Sequence, residues 1–146
     1  LEKLSYIGAD LIIRTLKKLL NNTITPIKQN DASATFAPKI RVADCKIDWK
    51  NTAENIHNQI RAFSPNPGAF TFYKNKRVKL FKSKIRKREV GIKLQPGYIN
   101  YKKPTLYIGT GTRPIKINDI QLEGKKRLPV SQFILGFPGI IGSNFN

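Results

Sequence analysis

Two prolines and a glycine between residues 64 and 68 set the strongest constraint on the fold of this chain. They lie in the segment Ile60–Phe72, which reads IRAFSPNPGAFTF. Pro65 and Pro67 have a fixed φ and no amide hydrogen, so a helix cannot continue through them, while Gly68 lets the backbone change direction. The pattern before this corner is helical or irregular, and the pattern after it is a series of short β-rich runs. We therefore predict a helix that ends at a rigid corner where a β-sheet begins.

Two amphipathic helices are predicted before the corner. Apolar residues recur at three- and four-residue spacing over about residues 3–20 and again over about residues 52–63. We expect Asn51 to cap the second helix, with Glu54 at its third position. The first helix has no long helical partner later in the chain, so we expect its apolar face to pack on a missing N-terminal domain. Leu1 in place of Met likewise suggests a fragment of a longer protein.

The residues between the helices, 21–47, show no sustained period and are interrupted by prolines and polar clusters. This pattern predicts a long connection. Its apolar residues, together with Trp49, are too many for free disorder, so we expect the segment to lie against the surface of the following domain. These residues are Phe36, Ile40, Val42, Ile47 and Trp49.

Five or six short β-rich runs follow the corner. The clearest cover about residues 69–73, 77–85, 97–101, 105–108 and 114–122, and Lys74-Asn75-Lys76 is the expected turn of the first hairpin. Such spacing favours a small closed or nearly closed barrel over a sandwich. We expect a helical turn or two at 131–135 and a frayed, Gly-rich end from Pro138 onward.

Positive charge is concentrated in the β-rich half. The chain has 27 Lys and Arg against 9 Asp and Glu, a net charge of +18. Residues 70–146 contain 17 basic and 3 acidic residues, whereas residues 1–69 contain 10 and 6. A compact domain with this charge repels itself, and a polyanion would relieve the repulsion. Nucleic acid is the first candidate partner and an anionic membrane surface the second.

Long cations on strands and loops can contact phosphates without reading bases, so the basic clusters of this half are the candidate site. Aromatic residues lie among them, and we expect most of these to fill the core rather than to stack on bases. The predicted phosphate-contacting residues are Lys79, Lys82, Lys84, Arg86, Lys87, Arg88, Lys125, Lys126 and Arg127.

Catalytic and metal chemistry has little support in the sequence. Cys45 is the one cysteine and His57 the one histidine, so the sequence supports neither a nucleophile–base set nor a Cys-based zinc site. We expect His57 to serve packing or the surface. Gly109-Thr110-Gly111 lacks the third glycine of a dinucleotide fingerprint and is expected to be a turn. No run of the sequence has the length of a membrane span.

Six segments in order resemble the methionyl-tRNA formyltransferase family. The corner is similar to a family motif usually written IRAFNPWPGA, although Asn66 stands where the family usually has Trp. The other segments are GADL at 8–11, ITPIKQN at 24–30, ATFAPKI at 34–40, KIDW at 46–49 and LEGKKRL at 122–128. Together they span most of the chain.

This resemblance implies three regions: residues 1–20 as the terminal helix of a missing formyltransferase domain, 21–50 as a linker, and 51–146 as a C-terminal OB-like barrel. It implies a mainly β fold with flanking helices. The family's catalytic motifs lie upstream of this chain's first residue, so no catalytic residue is carried over and the fragment alone is expected to be inactive.

The whole protein is expected to transfer a formyl group from 10-formyltetrahydrofolate to the amino group of methionyl-initiator tRNA. In that reading the barrel binds the initiator tRNA, and the protein is a monomer of the bacterial cytoplasm or the mitochondrial matrix. Two alternatives remain open: a folate-dependent formyltransferase acting on a sugar nucleotide, and a stand-alone single-stranded nucleic-acid-binding module.

Overall fold

The chain divides into two compact units, Leu1–Pro38 and Lys39–Asn146, in a computed structural model that describes residues 2–85 and 94–146. The first unit contains helix α1, Glu2–Leu20, and a 3-10 turn at Asp31–Ser33. Helix α1 stops where the sequence predicts, because Asn22 adopts a left-handed φ of 53° and the Thr23 amide donates to the Lys18 carbonyl at 2.9 Å.

The second unit is an antiparallel sheet with flanking helices, as predicted. Strand order is β1-β2-β5-β4-β3, and the short β6 pairs with β5. In chain order the elements are a 3-10 turn at Val42–Cys45, α2 Ala53–Ala62, β1 Phe70–Tyr73, β2 Lys76–Lys84, β3 Ile99–Lys102, β4 Thr105–Ile108, β5 Ile115–Leu122, β6 Leu128–Pro129, α3 Val130–Gly136 and a 3-10 turn at Pro138–Ile140.

The corner after α2 forms as the sequence predicts. Gly68 has a φ of +87°, and its amide donates to the Phe63 carbonyl at 2.8 Å, which closes the turn that redirects the chain into β1. The next reversal is the β1–β2 hairpin, where Lys74 and Asn75 have φ angles of 47° and 61°. Two successive left-handed residues match the right-handed twist of the strands that they join.

Aliphatic side chains from one face of the sheet and from α2 form the core. Ile56 and Ile60 of α2 are fully buried, as are Leu80 of β2 and Ile117 of β5. The connection before α2 contributes Ile47 and Trp49 to this core. The expectation that the apolar residues of this connection lie against the domain is wrong for Phe36, Ile40 and Val42, which are 97%, 55% and 65% exposed.

The two edge strands of the described sheet, β1 and β3, do not pair with each other, and both form hydrogen bonds with the C-terminal tail. Among the described residues β1 and β3 are edge strands, so strand pairing alone leaves the sheet open. The tail hydrogen-bonds to both: the Asn146 amide donates to Phe72 of β1 at 3.0 Å, and the Gly142 amide donates to Ile99 of β3 at 2.9 Å. The predicted β-rich domain is confirmed, but its described strands do not close into a barrel; the tail contacts both edge strands of an open sheet.

The predicted fraying of the tail is wrong. Phe145 is 5% exposed and its ring stacks on Trp49 at 5.8 Å, and Ile140 is fully buried. A Gly-rich composition suggested disorder, but two buried side chains and backbone partners on two strands hold these residues in place.

The predicted helix cap is also wrong by one residue. The N-cap of α2 is Thr52, whose hydroxyl accepts from the Asn55 amide at 3.2 Å. Asn51 instead turns its backbone carbonyl toward the Gly111 amide, at 2.9 Å. This long-range contact selects the start of the helix between two residues that are both good caps.

Candidate nucleic-acid interface

One face of β2 carries basic and aromatic side chains together. Arg77, Lys79 and Phe81 lie at alternate positions of the strand, so they project to the same side. In register with them, Phe70 of β1 lies opposite Lys79, and Asp119 of β5 lies opposite Phe81. Directly opposed residues of antiparallel strands share a face. These groups therefore form a row across β1, β2 and β5 on the side of the sheet opposite the aliphatic core, and within that row Phe70, Phe81 and Asp119 are buried.

Aromatic rings support three cations of this region. The guanidinium of Arg127 lies 4.2 Å from the ring centre of Phe81, and that of Arg77 lies 4.5 Å from Phe70. Cations over aromatic faces are attracted by the ring quadrupole, so these contacts restrain long side chains at the surface. Farther along, the Lys46 ammonium lies 5.7 Å from the Phe72 ring.

A buried carboxylate holds two of the predicted phosphate-contacting residues. Asp119 is 8% exposed, and its Oδ2 accepts from Arg127 Nε at 3.1 Å and Nη2 at 2.8 Å. The Lys82 ammonium lies 3.1 Å from the same oxygen. Lys82 has a φ of 50°, in the left-handed region that a lysine in a strand rarely adopts. We call Lys82, Asp119 and Arg127 the Asp119 triad.

Like charges oppose each other at the far end of β2. Lys84 is the register partner of Lys116 on β5, and the Lys116 ammonium lies 5.0 Å from the Tyr107 ring. Two lysines directly across a strand pair repel each other and lower the stability of the sheet.

The structure brings together some of the predicted site residues and separates others. Lys79, Lys82 and Lys84 lie within β2. Arg127 and Lys82 come together because both contact Asp119. Lys125 and Lys126 are exposed on the turn between β5 and β6, where Gly124 has a φ of 72°. Arg86, Lys87 and Arg88 lie outside the described residues, so that part of the prediction has no structural counterpart to compare.

Sequence reasoning missed three residues of this face: Lys46, Arg77 and Asp119. The alternation along β2 could have identified Arg77, since it lies two residues before the predicted Lys79 and therefore on the same side. No such pattern in the sequence pointed to Asp119, because its position next to Lys82 and Arg127 depends on how β2 and β5 are paired.

A cavity lined in part by basic side chains lies beside the C-terminal end of α2. It has a volume of about 320 Å³ and is lined by Ile60, Arg61, Ser64, Lys82 and Ser83. Behind it, His57 Nδ1 lies 2.8 Å from the hydroxyl of Ser83, a buried residue. Burial, followed by the nearby Arg61 guanidinium, lowers the pKa of His57, which keeps the ring neutral. This agrees with the expectation that His57 serves packing.

Residues 2–85 and 94–146 contain neither a metal-binding cluster nor a membrane-spanning helix. Within those ranges no three His, Cys, Asp or Glu residues come together in a way that could hold a metal ion. In the same ranges no helix combines the length and apolar character needed to cross a bilayer.

Comparison with known proteins places the domain. Residues 39–138 match the family described as formyl transferase, C-terminal domain. The chain belongs to the formyl transferase C-terminal domain family. This domain family covers most of the second unit, including α2, the corner, all six strands and α3.

Curated relatives of this formyl transferase C-terminal domain include two bacterial proteins named methionyl-tRNA formyltransferase. The protein from Staphylococcus epidermidis is 44% identical over 137 residues, covering 92% of this chain and 43% of the relative. The protein from Carboxydothermus hydrogenoformans is 38% identical over 144 residues, covering 97% of this chain and 46% of the relative. The chain thus spans less than half the length of these relatives.

Solved structures share the fold of this formyl transferase C-terminal domain. A variant of HypX from Aquifex aeolicus superposes with a TM-score of 0.71 at 19% identity, over 92% of this chain and 24% of HypX. HypX in complex with tetrahydrofolic acid superposes with a TM-score of 0.68 at 19% identity, over 86% of this chain and 22% of HypX. At this identity the likeness concerns the fold alone.

Proposed function

We propose that this chain is the tRNA-binding C-terminal part of a methionyl-tRNA formyltransferase. The observation that carries the proposal is the basic face of β2, β5 and the β5–β6 turn, in a domain of the formyl transferase C-terminal family. Arg77, Arg127 and Lys82 are held at the surface by rings or by Asp119, and Lys125 and Lys126 extend from the turn. Such a surface suits a folded polyanion, because fixed cations contact phosphates with less loss of side-chain entropy.

The reaction belongs to the whole protein. It transfers the formyl group of 10-formyltetrahydrofolate to the amino group of methionyl-initiator tRNA, in the bacterial cytoplasm or the mitochondrial matrix. The present chain supplies RNA affinity and orientation, and it is expected to catalyse no formyl transfer when 10-formyltetrahydrofolate and the charged tRNA are added to it alone. As a monomer, it would offer each tRNA one basic face.

Helix α1 supports a second part of this proposal. Leu4, Ile7, Leu11 and Leu16 recur on one side of the helix, and each is at least half exposed. Methionyl-tRNA formyltransferases that this chain resembles are more than twice its length. We assign the apolar face of α1 to contact with the formyltransferase domain of the whole protein, with 21–50 as the linker between the two domains.

Binding of initiator tRNA to the chain across a range of NaCl concentrations tests the RNA-binding proposal. We expect the logarithm of affinity to fall steeply with the logarithm of salt concentration. Replacing Lys125 and Lys126 by Gln should reduce that slope by about two, one unit for each lost phosphate contact. Replacing Lys17 and Lys18 of α1 by Gln removes the same charge from an exposed pair elsewhere and is the matched control.

Three results would contradict the proposal. A flat salt dependence would exclude phosphate binding and favour a formyltransferase domain for a small substrate. Equal losses in the two double variants would indicate a response to net charge rather than to the basic face. Polyuridylate binding as tight as tRNA binding would favour a single-strand-binding module.

A further inference from the structure

In the Asp119 triad, two cations share one carboxylate oxygen. A single carboxylate oxygen accepts hydrogen bonds from a lysine on β2 and an arginine that precedes β6. Two hydrogen bonds of ordinary length that share an acceptor keep their donors within about 6 Å of each other. Two cations at that separation can contact the non-bridging oxygens of one phosphate group.

Several features of the structure restrain Lys82 and Arg127 in the absence of a ligand. Asp119 lies on the central strand β5 and is 8% exposed, so its carboxylate has little freedom. The Arg127 guanidinium lies over the Phe81 ring, with its carbon 4.2 Å from the ring centre, and it donates from Nε and Nη2 to Asp119. Lys82 is turned toward the same carboxylate by its left-handed backbone conformation.

Both cations still face solvent. The Arg127 side chain is 32% exposed and that of Lys82 is 64% exposed, against 12% for Asp119. An arginine has five N–H donors and a lysine three, so the contacts with Asp119 leave donors of both groups for a ligand. A strained backbone at a surface lysine is typical of sites where geometry matters more than stability.

We propose that Lys82 and Arg127 form a single binding site for one phosphodiester group of an RNA backbone, and that Asp119 is its positioning residue. This inference rests on the proposed RNA-binding function. The inference predicts the direction in which RNA affinity changes when the negative charge of Asp119 is removed. Removing a negative charge from a protein that binds a polyanion should strengthen binding if only long-range electrostatics matter. If Asp119 positions the two cations, removing its charge should weaken binding.

The experiment compares Asp119→Asn with Glu123→Gln in binding to initiator tRNA at fixed salt. Glu123 is the matched control, because it is an acid of the same strand region whose carboxylate accepts from the Arg77 amide, and a glutamine can still accept there. We expect Asp119→Asn to lower the affinity about three- to tenfold, because two long side chains must then be ordered on binding. Glu123→Gln should leave affinity unchanged or slightly higher.

A merely structural role for Asp119 is separated by a variant cycle. In a background that carries Lys82→Gln and Arg127→Gln, the Asp119→Asn change should cause no further loss of affinity, because the side chains that it positions are gone. The Lys82→Gln and Arg127→Gln losses should also be less than additive, since both cations serve one phosphate. This second measurement needs no Asp119 variant, so it holds if Asp119→Asn fails to fold.

The outcomes divide clearly. Affinity of Asp119→Asn equal to or above that of the unaltered chain overturns the positioning role. Strict additivity of Lys82→Gln and Arg127→Gln overturns the shared phosphate. Persistence of the Asp119→Asn loss in the Lys82→Gln, Arg127→Gln background assigns that loss to folding and overturns the positioning role. Failure of the unaltered chain to bind tRNA in a salt-dependent manner overturns the proposed function instead.

Discussion

Helices α1 and α2 have the same kind of amphipathic pattern, but the apolar side of α2 is buried and that of α1 is exposed. In α2, Ile56 and Ile60 are 0% and 1% exposed, whereas in α1 Leu4 and Leu11 are 67% and 62% exposed. Periodicity determines which side chains share a face, and it carries no information about what covers that face. The comparison therefore places the apolar side of α2 in the core of the domain and that of α1 at the surface.

The largest expected effect that separates the two helices is loss of a buried isoleucine from α2. Ile60→Ala should lower the free energy of unfolding by about 2–5 kcal/mol, because it removes buried surface and leaves a cavity between α2 and the sheet. Urea unfolding monitored by Trp49 fluorescence measures the change. Asn58→Ala, an exposed position of the same helix, is the control, and a loss below about 1 kcal/mol for Ile60→Ala would break the comparison.

A smaller effect concerns the way in which α2 begins. Thr52→Ala should lower the free energy of unfolding by about 1 kcal/mol, because the Asn55 amide loses its side-chain acceptor. Asn51→Ala should be nearly neutral, since Asn51 contributes its backbone carbonyl and not a side-chain cap. Equal losses at the two positions would mean that the cap predicted from sequence is in use as well.

A third effect is a loss of stability at acidic pH that arises from His57. Burial and Arg61 lower the pKa of His57 below its ordinary value of 6.5. Below that pH the unfolded chain binds more protons than the folded chain, so the free energy of unfolding should fall as the pH drops through 6.5 and stay level above it. Urea unfolding at several pH values from about 8 down to about 5 checks this. In His57→Gln the slope attributable to this group should vanish, and an unchanged slope would contradict its assignment.

The smallest effect should come from α1. Leu11→Ala is expected to change the free energy of unfolding of the second unit by less than about 0.5 kcal/mol, because the leucine is largely exposed and alanine is a good helix former. The same variant should weaken association with a separately produced formyltransferase domain. A loss comparable to that of Ile60→Ala would show that both helices serve stability.

Local patterns predicted most of the secondary structure. The corner at 64–68, the β1–β2 hairpin and strand β4 follow from proline and glycine chemistry and from short β-rich runs, which act over a few residues. The tail and the α2 cap were predicted wrongly for one reason. Phe145 packs on Trp49, and Gly111 meets Asn51, across distances in sequence that no local pattern records.

The candidate site divides in the same way. Charge density along the chain singled out Lys82 and Arg127, because residues 70–146 contain 17 basic and only 3 acidic residues, which is visible without coordinates. It could not reveal that Asp119 joins them, since that contact depends on the register of β2 with β5 and on the return of β6 beside β5.

By itself the amino-acid sequence determined where the helices and strands begin and end to within a few residues, and which half of the chain carries positive charge, because both properties arise from neighbouring residues. Tertiary structure alone decided what covers each face. It required glycine at position 111, where a Cβ would collide with the Lys50 carbonyl. It also bridged the open sheet with the tail and gathered Lys82, Asp119 and Arg127, because packing brings together residues that lie far apart along the chain.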